Sequence, residues 1–203
     1  HFGTGGIIQG CKFHNFVMGF SNTIQTGNYY MFLNNYVEVN EENVGIKATY
    51  NSAVIGNVFN MAHEDAQSGI RLQNAAHSLV ANNTIIASTP CSGMGIYISG
   101  TSSSGCTVIN NYIEGFSDGG YGIYSHTAAN ISLLLSNNYF YNNSNTESIT
   151  SGVIRTINDA VVLTASGVMN NAWVSGDLDL SPTKDLINNA YVTQLPEGDT
   201  VHS

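Results

Sequence analysis

Val80-Ala81-Asn82-Asn83-Thr84-Ile85 carries the pattern that decides the fold, because the same arrangement returns along the whole chain. An apolar residue stands three before the second member of a Gly-Asn or Asn-Asn pair, and another stands two after it. Eight copies align, running from Ile8 to Phe13, Phe32 to Val37, Val54 to Phe59, Val80 to Ile85, Val108 to Ile113, Leu135 to Phe140, Val168 to Trp173 and Leu186 to Tyr191. Their second members are Cys11, Asn35, Asn57, Asn83, Asn111, Asn138, Asn171 and Asn189, separated by 24, 22, 26, 28, 27, 33 and 18 residues. A period in the twenties with inserts of varying length is the mark of a solenoid.

The first member of every pair is Gly or Asn, the two residues that enter the left-handed backbone region at least cost. Each copy is therefore expected to make one sharp bend there, with its flanking apolar residues pointing inward from two short strands. An Asn in the second position can bond backbone groups at the bend and the Asn of the next coil, satisfying polar groups that stacking would otherwise bury.

A second signal is locked to the first. Gly45-Ile46, Gly69-Ile70, Gly95-Ile96, Gly122-Ile123 and Gly152-Val153 precede the second members of the pairs by 12, 14, 16, 16 and 19 residues. Each opens a short alternating run, such as Ile70-Arg71-Leu72, with Ile46, Ile70, Ile96, Ile123 and Val153 expected inside. Three short strands per coil predict an all-β chain: a single-stranded, right-handed parallel β-helix of about eight coils over residues 1–191. Residues 192–203, with the Pro-bearing Leu195-Pro196-Glu197-Gly198-Asp199, are expected as a tail or link to further sequence.

With its Asn ladder at a two-residue bend, the chain resembles the pectate-lyase-like β-helix superfamily over roughly residues 5 to 191. The resemblance implies a fold and leaves the reaction open, since this scaffold carries lyases, hydrolases, epimerases, phage tailspikes and non-catalytic adhesins. It also implies that the strands opened by the glycines, with their flanking loops, form a polysaccharide groove. The Asn-Thr-Asp, Gly-His-Gly and Arg-Ile-Lys motifs of the polygalacturonase type and the Asp-Pro-His-Glu of the alginate epimerases are missing from the sequence.

Composition narrows the setting. The 203 residues are 42% hydrophobic and 9% charged, enough apolar content for one ordinary domain, and the net charge of -9 argues against nucleic acid as a partner. No stretch has the length and apolarity of a transmembrane helix. Low Lys and Arg with abundant Asn, Gly, Ser and Thr resembles secreted and virion-surface β-proteins. Three cysteines make no disulfide framework: Cys11 is expected as a buried thiol at a ladder position, and Cys91 and Cys106 as free thiols. Asn82, Asn130 and Asn142 open Asn-x-Ser/Thr triplets, of which Asn82 belongs to the bend. Ladder chemistry begins within about ten residues of His1, so a fragment of a longer chain or a homotrimer is expected, because an uncapped coil exposes a strand edge.

For chemistry, alignment on the strand glycines puts Glu41, Asp65 and Asp118 four residues before them, with Glu42, Glu64 and Glu147 within one position and Cys91 breaking the column. Coils stack at roughly 4.8 Å, so acids one or two coils apart are expected about 5 or 10 Å apart, bracketing the separations of retaining and inverting glycosidases. Beside them runs an outward stripe of Lys47, Arg71, Tyr97 and Tyr124. Tyrosines pack on sugar rings and bond hydroxyls, while cations hold acidic groups.

Glu64, Asp65 and Asp118 are thus the candidate catalytic carboxylates, and Lys47, Arg71, Tyr97, Tyr124 and His126 the candidate binding set, with His126 also a possible acid or base. The bland reading of the same residues is solvated turn acids and ordinary strand tyrosines. Calcium between coils is a further reading of the acids, one that needs several oxygens converging on a single ion, and no other cofactor is expected. His63-Glu64-Asp65 fits no zinc or nucleophile motif. The expected function is part of a phage tailspike or appendage that binds, and in an enzymatic version depolymerises, host surface polysaccharide. A secreted polysaccharide lyase or hydrolase and a non-catalytic adhesin rod are the alternatives.

Overall fold

The structure is a computed structural model that describes residues 5–13, 24–25, 28–40, 42–100, 103–125 and 133–149, together with the backbone of the short strands Val153–Arg155, Ala160–Val162, Trp173–Val174 and Tyr191–Val192. It is an all-β parallel solenoid with no helix among the described residues. Sheet I stacks seven strands leading into the bends, from Gly6–Gln9 through Leu79–Ala81 to Val153–Arg155. Sheet II stacks the seven that leave them, from Lys12–Phe13 through Thr84–Ala87 to Ala160–Val162. Sheet III stacks six, Ile24–Gln25, Val44–Ala48, Ser68–Gln73, Met94–Ser99, Tyr121–Ser125 and Asn145–Ser148. Five consecutive coils, between Tyr30 and Ser148, have all three strands described with their side chains.

The bend chemistry holds in detail. Gly10, Asn34, Gly56, Asn82, Asn110 and Asn137, the first members of the pairs, all have positive φ between 52° and 68°. The second members form a continuous ladder through the interior. Main-chain N–H groups of Cys11, Asn35, Asn57, Asn83 and Asn111 donate to Oδ1 of Asn35, Asn57, Asn83, Asn111 and Asn138 in turn, at 2.8–3.2 Å. The Nδ2 groups of Asn35, Asn57, Asn83 and Asn111 donate to the same Oδ1 atoms at 2.9–3.1 Å. Each Nδ2 also reaches back one coil to a main-chain carbonyl, as Asn83 does to Val54 and Asn111 to Val80. Asn35, Asn57, Asn83, Asn111 and Asn138 are all buried, which such complete bonding makes tolerable.

The strand glycines are required by packing. A Cβ on Gly45 would meet the Phe59 ring at 2.8 Å, one on Gly69 would meet Ile85 at 2.6 Å, and one on Gly122 would meet Phe140 at 2.5 Å. Side chains of sheet II fill the space that a sheet III side chain would need. The following residues, Ile46, Ile70, Ile96 and Ile123, are fully buried and in register, and with Phe32, Phe59, Ile85, Ile113 and Phe140 they form one core running up the solenoid.

Three expectations need correcting. Gly152-Val153 does not open a sheet III strand: Val153 pairs with Leu133 in sheet I, and the sheet III strand of that coil is Asn145–Ser148, which has no glycine to announce it. The 33-residue gap after Asn138 contains an uncounted strand whose Ala160 lies opposite Asn138, so the next ladder place belongs to Ala160 and not to Asn171. Cys11 keeps its ladder bond to Asn35 yet is exposed, because it sits on the outermost described coil. Asn171 and Asn189 lie outside the described residues, although Trp173 and Tyr191, two after them, pair as their alignment requires.

A second left-handed column, with no signature in the pair pattern, turns the chain from sheet III into sheet I. It comprises Gly5, Tyr29, Asn51, His77 and Gly105, with φ of 52–75°. Their successive N–H groups bond Asn28, Tyr50, Ala76 and Ser104 of the next coil, which keeps the five in register. Tyr and His enter this region at greater cost than Gly or Asn.

Asn111→Ala should destabilise the fold by about 1 to 3 kcal/mol, because it strands the Asn83 donors and the Val80 carbonyl in the core. Denaturant unfolding at constant slope is the check, and an effect below half a kilocalorie would contradict the role given to the ladder.

Candidate functional site

Sheet III brings the predicted stripe together. Lys47 lies opposite Arg71, Arg71 opposite Tyr97 and Tyr97 opposite Tyr124, all facing outward and half-buried. The Arg71 guanidinium sits over the Tyr97 ring at 5.0 Å, and its Nε donates to Ser99 Oγ at 3.2 Å. On the other side of Tyr97 lies the Tyr124 ring, 5.7 Å between centroids, and Tyr121 adds a further ring 5.0 Å from Tyr124. Tyr97 is therefore held between a cation and an aromatic ring, which fixes its position. Burial and the neighbouring Arg71 both lower the Lys47 ammonium pKa from its ordinary value.

The acids lie on the loops that lead into this sheet. Glu42, Glu64, Asp65 and Asp118 are all exposed. Main-chain bonds set their register. Ser92 N–H donates to the Glu64 carbonyl at 3.0 Å and Asp118 N–H to the Cys91 carbonyl at 3.3 Å, so Ser92 occupies the rung between Asp65 and Asp118. Sequence counting assigned that rung to Cys91, because the loop before Gly95 is one residue shorter than those before Gly69 and Gly122. Cys91 turns inward instead and is buried. Asp65 N–H donates to His63 Nδ1 at 3.1 Å, which gives His63 a local turn-closing role. Glu147 does not belong to the column, since it lies on a sheet III strand opposite Ile123. Glu41 and His126 fall outside the described residues.

A cavity of about 310 Å³ opens between the acid loops and the stripe, lined by Asp65, Ala66, Gln67, Ser92, Gly93, Met94 and Tyr97. Gly93 is compulsory in its floor, since a Cβ there would collide with the Ala66 carbonyl. The sequence pattern marked Asp65 and Tyr97 but missed Gln67, Ser92 and Met94; the place of Ser92 follows from the one-residue offset of the Cys91 loop, and Met94 lies in register opposite Ser68. Among the described residues no three His, Cys, Asp or Glu side chains gather in a way that could hold a metal ion, and there is no helix long and apolar enough to cross a membrane.

No family model, curated protein or solved structure matches the chain.

All three cysteines are free, with Cys91 and Cys106 buried. Burial raises both thiols above the ordinary range. At Cys91 the Asp65 and Asp118 charges push the same way, partly offset by bonds with Gly93 and Ala66. A thiol raised on folding holds its proton longer in the native state, so its contribution to stability is complete below the unfolded thiol's range and is lost as pH rises through the folded value. Native protein treated with iodoacetamide at mildly alkaline pH should be modified at Cys11 and spared at Cys91 and Cys106, as peptide mass spectrometry would show, and thermal stability should fall as the solution becomes more alkaline. Equal labelling of all three thiols would contradict this arrangement.

Proposed function

We propose that this chain is part of a tailspike-like or appendage β-helix, of the pectate-lyase-like type, that binds an extended host surface polysaccharide along the outer face of sheet III. One observation carries the reading: the ladder Lys47, Arg71, Tyr97, Tyr124 is in register and adjoins a cavity bearing Asp65. An array of rings and cations rising one coil at a time suits a polymer with repeating polar units better than a compact ligand. Tyr97 offers its edge and phenol to a sugar in the cavity, and Tyr124 and Tyr121 extend the aromatic surface along the axis.

Hydrolysis is the catalytic form of this proposal. Asp65 and Asp118 stand two coils apart with Ser92 between them, a rung separation of about 10 Å that side-chain reach brings near the range used by inverting carboxylate pairs. One carboxyl would protonate the leaving oxygen while the other takes a proton from the attacking water. Glu64, next to Asp65 and exposed, is the reserve acid.

A homotrimer at the virion surface completes the proposal. The outward face of sheet I supports lateral contact, with Ile7 and Met31 respectively 64% and 40% exposed, next to the half-buried Leu33, Ile55 and Leu79. Light scattering should give a trimer that Ile7→Lys with Met31→Lys converts to monomer; a monodisperse wild-type monomer would remove this part of the reading.

On a confirmed glycan, Asp65→Asn or Asp118→Asn should abolish turnover while sparing binding, because the amide keeps the shape but cannot exchange the proton. Tyr97→Ala with Tyr124→Ala should weaken binding by roughly 1 to 3 kcal/mol. Unchanged affinity in that double variant would move the binding site off sheet III.

A further inference from the structure

The cavity between the Asp65 and Ser92 loops has a charge character that the polysaccharide reading does not use. Of its lining residues only Asp65 is charged; Gln67 and Ser92 are neutral hydrogen-bonding groups, and Met94 and Tyr97 supply apolar and aromatic surface. Arg71, the cation on the next rung of the ladder, is absent from the lining. Its guanidinium lies on the Tyr97 ring and its Nε bonds Ser99, so its geometry is fixed by protein partners. Lys47 lies a further coil away, opposite Arg71.

We infer that this cavity takes a neutral sugar unit and rejects uronate units. A carboxylate entering it would face Asp65 with no cation in the lining to compensate, whereas the hydroxyls of a neutral sugar can donate to Asp65 and exchange hydrogen bonds with Gln67, Ser92 and the Tyr97 phenol. The inference rests on the proposal that sheet III binds glycans and narrows it to one chemical class. It bears on the reaction as well. Elimination removes a proton from the carbon next to a sugar carboxyl, expels the oxygen on the following carbon and leaves a carbon–carbon double bond. A neutral sugar has no carboxyl to acidify that proton, so cleavage at this cavity is hydrolytic and not eliminative.

The test is binding of the full chain, at low ionic strength, to an array of bacterial polysaccharides holding neutral and uronate-bearing members in comparable number. The strongest hits are then retitrated against Asp65→Asn and Gln67→Ala. Neutral glycans should dominate the hits, and Gln67→Ala should weaken them severalfold. Asp65→Asn should raise affinity for a uronate glycan about fourfold relative to a neutral one, the effect of removing a unit charge some 5 Å away in water. Preferential binding of uronate glycans by the wild type would overturn the class assignment while leaving the groove itself in place. So would an unchanged neutral-to-uronate ratio in Asp65→Asn. Binding of no polysaccharide at all would overturn the groove and this inference with it.

Discussion

The stacked amide of the ladder asparagines is the interaction on which the rest depends. A solenoid bends sharply in every coil, and each bend takes main-chain donors and acceptors out of the sheets while burying them under the next coil. One Asn per coil answers this with both ends of its side chain: Oδ1 accepts from the preceding coil's main-chain and side-chain N–H groups, and Nδ2 reaches a carbonyl of that coil and Oδ1 of the next. Register follows directly. Coils linked through Asn57, Asn83, Asn111 and Asn138 cannot slip by one residue without breaking several buried bonds together, so strands far from the bend inherit the same alignment.

That inheritance builds the candidate site. Lys47, Arg71, Tyr97 and Tyr124 come from four coils and share no local sequence, and only the common register makes them a ladder. The loops that feed sheet III are free of the ladder's constraint and vary in length by a residue, which is enough to turn Cys91 inward and bring Ser92 onto the rung between Asp65 and Asp118. Rigid strands thus hold the aromatic and cationic side chains while variable loops choose the acids, a division that lets one scaffold accept different ligands.

Legibility in the sequence followed the same division. Where a backbone conformation or a steric limit restricts the residue type, the pattern was plain: left-handed bends demanded Gly or Asn, and the contact with Phe59, Ile85 and Phe140 demanded glycine at 45, 69 and 122. Where another solution exists, the pattern failed. Ala160 fills a ladder place without an amide, Asn145–Ser148 forms a sheet III strand without the glycine, and Tyr29 and His77 hold a left-handed corner that their residue types do not advertise. Across the Asp65, Ser92 and Asp118 rungs the acid column was legible to within one residue, because counting back from a glycine cannot detect a loop shortened by one, whereas Glu147 was misplaced with the glycine it was counted from. The cavity was not legible, since Gln67 and Met94 acquire meaning only when two loops are placed side by side.

Hydrogen exchange of the asparagine side-chain amides tests the central claim most directly, because Asn83, Asn111 and Asn138 each follow a half-buried Asn that serves as an internal control. The Nδ2 protons of Asn83, Asn111 and Asn138 should exchange orders of magnitude more slowly than those of Asn82, Asn110 and Asn137, approaching the rate of global unfolding. Exchange of both members of each pair at a similar, solvent-like rate would mean that the amides are not stacked in the interior, and the register on which the site depends would lose its physical basis.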